Sequence, residues 1–155
     1  MTPLGHLSLA FLAGSILEYD RRMIALCLAG AVVPDLIDKP LVWAGVFDIG
    51  HTVGHSVVTL GVITAVVTII SPLRILAPAV LGYATHILAD LFVAYPKFLT
   101  NYAWPLLPQR PTPDGPVLDY WLAYAGSGPG VVEASVVVLA VGLVIKHSRA
   151  DQADS

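Results

Sequence analysis

Residues 73–93 read LRILAPAVLGYATHILADLFV. The run is 21 residues long, and a bilayer span needs roughly 20. Its later half carries His86 and Asp90, four residues apart. Ionisable groups inside a membrane helix are costly, so they are candidates for function by default. A membrane helix with a His/carboxylate pair on one face is the reading from which the rest follows.

Four further apolar runs flank it. Residues 51–70, HTVGHSVVTLGVITAVVTII, end at Ser71-Pro72. Leu4–Leu17 is followed by the break Glu18–Arg22, and Met23–Val33 stops at Pro34-Asp35. Val131–Ile145 is Val-rich, and a polar tail, Lys146–Ser155, follows it. All five runs are expected to be helices, because an open sheet cannot satisfy its backbone in lipid. Leu36–Gly50 reads as a loop. Small residues four apart, Ala10 with Gly14 and Ala25 with Ala29, are expected to let helices pack closely.

Composition agrees. The chain has 155 residues, 56% hydrophobic and 12% charged, against about 45–50% and about 25% in soluble domains. Mean hydropathy is +0.76. Disorder is excluded by so much apolar surface. Lys+Arg is 8 against Asp+Glu 11, so no nucleic-acid partner is expected. A lone cysteine, Cys27, excludes a disulfide scaffold and reads as a small buried hydrophobe. The N-terminus lacks the positive region of a cleaved signal and reads as a retained helix. The expected fold is all-α: a small polytopic bundle of four to five helices forming one domain over 1–147, with residues 148–155 as a tail.

Residues 95–130 differ. They hold Pro96, Pro105, Pro108, Pro111, Pro113, Pro116 and Pro129, interleaved with Tyr95, Tyr102, Trp104, Tyr120, Trp121 and Tyr124. Proline bars long helices, and Tyr and Trp favour the headgroup zone. This predicts an interfacial loop, either a plain connector or a lid over the bundle mouth.

Alternating topology puts Arg21, Arg22, Arg74, Lys146 and Arg149 on one side and Lys39, Lys97 and Arg110 on the other. The first side is then cytoplasmic. His6, Asp35, Asp38, His51, His55, His86 and Asp90 all fall toward the opposite face. His51 and His55 are four apart, as are His86 and Asp90, so helical spacing would aim each pair one way. Such pairs hold divalent cations in helix bundles. Neutral imidazole and carboxylate suit zinc first, with manganese or iron as alternatives. His6, Asp35, His51, His55, His86 and Asp90 are the candidate ligands. They exceed the four of one tetrahedral zinc, which leaves two ions, or one ion with carboxylates orienting the histidines. Asp38 or Asp90 is the candidate general base. Ser56 reads as a packing or supporting group. His147 reads as solvated and Asp48 as a loop residue.

Four motifs in order extend this reading: Val32-Val33-Pro34-Asp35-Leu36-Ile37-Asp38; His51…His55-Ser56; Gly82-Tyr83-Ala84-Thr85-His86-Ile87-Leu88-Ala89-Asp90; and Ala103-Trp104-Pro105. With the early His6, this order resembles the YdjM-like inner-membrane metal-dependent hydrolases over about residues 4–107. The sequence departs from that pattern in having Thr52 where the family tends to have Arg, a shorter gap between the two histidines, and an extra residue between the aspartates. The resemblance implies a metal-dependent hydrolase in a prokaryotic cytoplasmic membrane, acting on lipid phosphoesters or a similar amphiphilic substrate. On this reading membrane lipids are partners and the site faces the non-cytoplasmic side. Two other functions use the same residues: a transporter or metal-handling protein with an intramembrane ion pathway, and a structural protein whose His/Asp cluster ties helices together.

Overall fold

The computed structural model describes residues 1–94, 96–110 and 117–153. Tyr95, Pro111, Pro113 and Pro116, and the tail's last two positions, lie outside them. Among the described residues there is no strand. The helices are α1 (Pro3–Ile16), α2 (Arg21–Trp43), α3 (Val57–Ile69), α4 (Ala77–Ala89), α5 (Val117–Ala125) and α6 (Gly128–Ala153). A tight turn, Ser71–Leu76, leads into α4 and a wider one, Asp90–Ala94, leaves it. Ser71–Ala94 is thereby one 24-residue apolar rod, and Gly128–Arg149 is a second of 22 residues. These two are long and apolar enough to cross a membrane. α1 and α3 are apolar but shorter, with 14 and 13 residues.

Helix ends follow local chemistry. Thr2 caps α1 by accepting from the Gly5 amide at 3.2 Å, and Pro3 opens the helix, where its missing N–H is harmless. Asp20 caps α2 by accepting from the Met23 amide at 2.8 Å.

Four expectations are corrected. α2 does not stop at Pro34; it runs through Pro34 and Pro40 to Trp43. A proline costs an internal helix bond, but neighbours can offset that loss inside a packed bundle, and α2 makes its most extensive contact with α4. Asp35 and Asp38 therefore lie on a helix, not in a loop. Conversely, His51 and His55 precede α3 in an irregular segment, so their four-residue spacing is not helical. α6 continues through the supposed polar tail to Ala153, since no breaker interrupts it. The Pro-rich stretch also holds a nine-residue helix, α5.

Ala10 and Gly14 are buried as the small-residue spacing expects, a Cβ on Gly14 meeting Ile24 of α2 at 2.9 Å, and two further glycines pack more tightly still. A Cβ on Gly30 would strike the Ala79 carbonyl, and one on Gly82 the Cys27 carbonyl. These two bare positions let α2 and α4 cross backbone to backbone. Ala25 and Ala29 face outward instead, whereas Ala10, Cys27 and Ala31 form one buried cluster. Tyr83, Ile87, Leu91 and Tyr102 form the other.

Candidate metal centre

Four elements deliver the polar cluster. α1 brings His6, the later half of α2 brings Asp35 and Asp38, the segment before α3 brings His51 and His55, and the end of α4 brings His86 and Asp90. Three groups of three have ligand atoms all within 4.8 Å of one another: His6, His86 and Asp90; Asp35, His55 and His86; and His51, His55 and Asp90. Their union is the six candidate ligands read from the sequence.

The distances would let these side chains share an ion. His55 Nε2 lies 3.1 Å from His86 Nε2, 3.7 Å from Asp35 Oδ1 and 3.8 Å from Asp90 Oδ2. His86 Nε2 is 3.6 Å and His51 Nε2 3.7 Å from that same oxygen. Ligands about 2.1 Å from a tetrahedral ion stand about 3.4 Å from each other. His6 Nε2 is 3.3 Å from Asp90 Oδ1, and its ring stacks on His86 at 3.6 Å. The buried Nδ1 of His6 has no hydrogen-bond partner among the described residues. The Met1 amino group also bonds to Asp90 Oδ1.

Asp38 does something different. Fully buried, it accepts from the Thr52 amide and hydroxyl at 2.7 and 2.8 Å, and from the Gly54 and His55 amides at 2.7 and 3.1 Å. Its fifth bond, 2.8 Å, is to His55 Nδ1. One carboxylate thus folds the irregular 52–55 segment and sets the tautomer of His55. Burial pushes the His55 imidazole down to about 4 against the opposing pull of Asp38, so the ring is neutral near pH 7. On the other side, His86 Nδ1 donates to the Ala31 carbonyl at 2.7 Å.

The segment after α4 closes over the cluster. Ser56 caps α3 and donates to the Trp104 carbonyl; Gln109 donates to the His51 carbonyl at 2.9 Å. Tyr102 is buried with its ring 5.6 Å from that of His51. Two clefts, of about 530 and 690 Å³, lie around Tyr19 at the opposite end of α2, and none of the six ligands lines either.

Sequence reasoning missed three residues. Thr52 is one of the partners that hold Asp38 in place. Lys39 pairs with Asp35 at 2.8 Å. Glu133, buried in α6, accepts from the Thr2 amide and hydroxyl and, at 2.7 Å, from the Tyr124 hydroxyl, tying α1, α5 and α6 together. An acidic residue alone in a Val-rich run was the available signal.

The described residues are mainly helical, with two rods long and apolar enough to cross a membrane and three His/Asp groups that could hold a metal ion. The family model for YdjM inner membrane proteins matches residues 1–152, and the chain belongs to that family. Nothing matches among curated proteins or solved structures.

Proposed function

We propose that this protein is a membrane-embedded, metal-dependent hydrolase of phosphoester or lipid-like substrates, with zinc as its ion and manganese or iron as alternatives. The facing Nε2 atoms of His55 and His86 carry this reading. Their Nδ1 atoms donate to Asp38 and to the Ala31 carbonyl, which accept only. Both Nε2 atoms therefore present lone pairs across 3.1 Å. A cation between them turns that repulsion into ligation.

Asp35, His55, His86 and Asp90 hold one ion in this reading, and His6 and His51 extend the shell toward a second. A divalent ion acidifies water and stabilises negative charge on a phosphoryl oxygen. Asp38, with five bonds already made, orients His55 rather than acting as base. Asp90 is the remaining carboxylate able to take a proton when one of its oxygens is not ligating. The segment 96–110 shields the site from bulk water.

Five segments cross or enter the bilayer in this proposal: α1, α2, α3, the 71–94 rod and α6. The Arg21-Arg22 end is cytoplasmic and the cluster faces the other side. Along α2, Asp35 lies 14 residues from Arg21, which is about 21 Å at 1.5 Å per residue. Clustering at one end favours a reaction site over an ion pathway, which needs polar groups at several depths.

Metal content of the detergent-purified protein tests this, with wild type beside His86→Ala and Asp90→Ala. One or two equivalents in wild type, lost in both variants, lead on to phosphoester screens. A wild type that takes up no zinc, manganese or iron on reconstitution refutes the proposal and leaves a proton pathway or helix glue.

A further inference from the structure

Lys39 sits one turn beyond Asp35 on α2. Its ammonium donates to Asp35 Oδ2 at 2.8 Å, while Asp35 Oδ1 faces His55 Nε2 at 3.7 Å. One carboxylate therefore links the candidate metal position to a cation whose side chain is 49% exposed. An ammonium has three donors. The bond to Asp35 uses one, and the other two remain for an anion.

The surroundings of Lys39 are apolar. Val32, Leu36, Lys39 and Trp43 follow helical spacing and share one face of α2. Leu36 is 65% and Trp43 82% exposed, and Val32 is exposed as well. The opposite face packs on α4. In a chain of an inner-membrane family, an exposed apolar stripe meets lipid. A lysine in the middle of that stripe calls for an anionic group carried by an apolar tail.

We infer that Lys39 receives the anionic headgroup of a membrane lipid, which approaches laterally along the Val32–Leu36–Trp43 stripe and presents its phosphate to the Asp35–His55 side of the cluster. This rests on the hydrolase reading and names the substrate class for that site: a lipid phosphoester whose headgroup carries a net negative charge, phosphatidate being the simplest. The ammonium stays in ion-pair contact with Asp35 while donating to the phosphate. Lys39 is thus a headgroup-binding residue and supplies no metal ligand.

The test uses the full chain loaded with cobalt in neutral detergent micelles, because cobalt's visible absorption reports changes around the ion. Phosphatidate, phosphatidylcholine and inorganic phosphate are titrated separately into wild type, Lys39→Met, Lys39→Arg and Trp43→Ser. Loss of one charged hydrogen bond predicts half-saturation by phosphatidate at about tenfold higher concentration in Lys39→Met, with Lys39→Arg close to wild type. Trp43→Ser should weaken phosphatidate and leave inorganic phosphate unchanged.

Equal half-saturation in wild type and Lys39→Met overturns the inference. So does a response to phosphatidylcholine as strong as that to phosphatidate. Inorganic phosphate binding as tightly as phosphatidate removes the lipid as occupant. Loss of cobalt from Lys39→Met means that Lys39 acts through Asp35 and not on the headgroup. A wild type that takes up no cobalt refutes the metal centre itself, and the inference falls with it.

Discussion

The imidazoles of His55 and His86 face each other Nε2 to Nε2 at 3.1 Å, and each has its Nδ1 fixed as a donor by an acceptor-only partner. Two lone pairs so placed repel unless a cation sits between them. Chelation is expected to lower thermal stability, since an ion at a hundred times its Kd stabilises the native state by about 2.7 kcal/mol. The check is a thermal melt with and without chelator. In His55→Leu, which removes one lone pair, the difference should shrink to near zero. An undiminished chelator effect in that variant places the ion elsewhere.

Asp38 supports the cluster without being one of its candidate ligands. It accepts five hydrogen bonds, three of them from backbone amides of residues 52–55. Asp38→Asn puts a donor where donors already point. We expect metal affinity to fall about 10–100-fold, as for other losses of a ligand-orienting partner, together with a lower melting temperature. Competition titration against a chromophoric chelator measures the first. Unchanged affinity with lowered stability would show that Asp38 only braces the loop.

Glycines at the α2–α4 crossing and away from it make opposite forecasts. Gly82→Ala drives a methyl into the Cys27 carbonyl and should destabilise by about 1–3 kcal/mol, as overpacking does. Nothing lies within 4 Å of a Cβ on Gly61 or Gly142. Alanine there should instead raise stability by about 0.5–1 kcal/mol through helix propensity alone. Melts of the three variants suffice, and a neutral Gly82→Ala would mean the crossing is looser than it looks.

The candidate ligands were legible for a reason independent of local structure. His and Asp are expensive in apolar segments, so their presence there stands out whatever the backbone does. Local structure was less legible. Pro34 and Pro40 look like stops by the rules of soluble helices, yet α2 continues through both. His51 and His55 have helical spacing but reach the cluster through an irregular segment folded around Asp38. That arrangement depends on a partner 17 residues away from His55, which a periodicity argument cannot see. Glu133 is the extreme case: its partner Thr2 is 131 residues distant.

Acidification tests how the His55–His86 pair takes up charge. Burial holds His55 near 4 in the folded protein, whereas the ordinary value is 6.5. Between those values the unfolded chain takes up a proton that the folded chain refuses. In chelated protein this stability is fully present above about 6.5 and is lost as pH falls toward about 4. Melts of the chelated protein across that range should show the decline, and His55→Asn should flatten it. If stability rises on acidification, a proton shared between His55 and His86 satisfies both lone pairs. The pair would then suit proton transfer, and transport assays would follow.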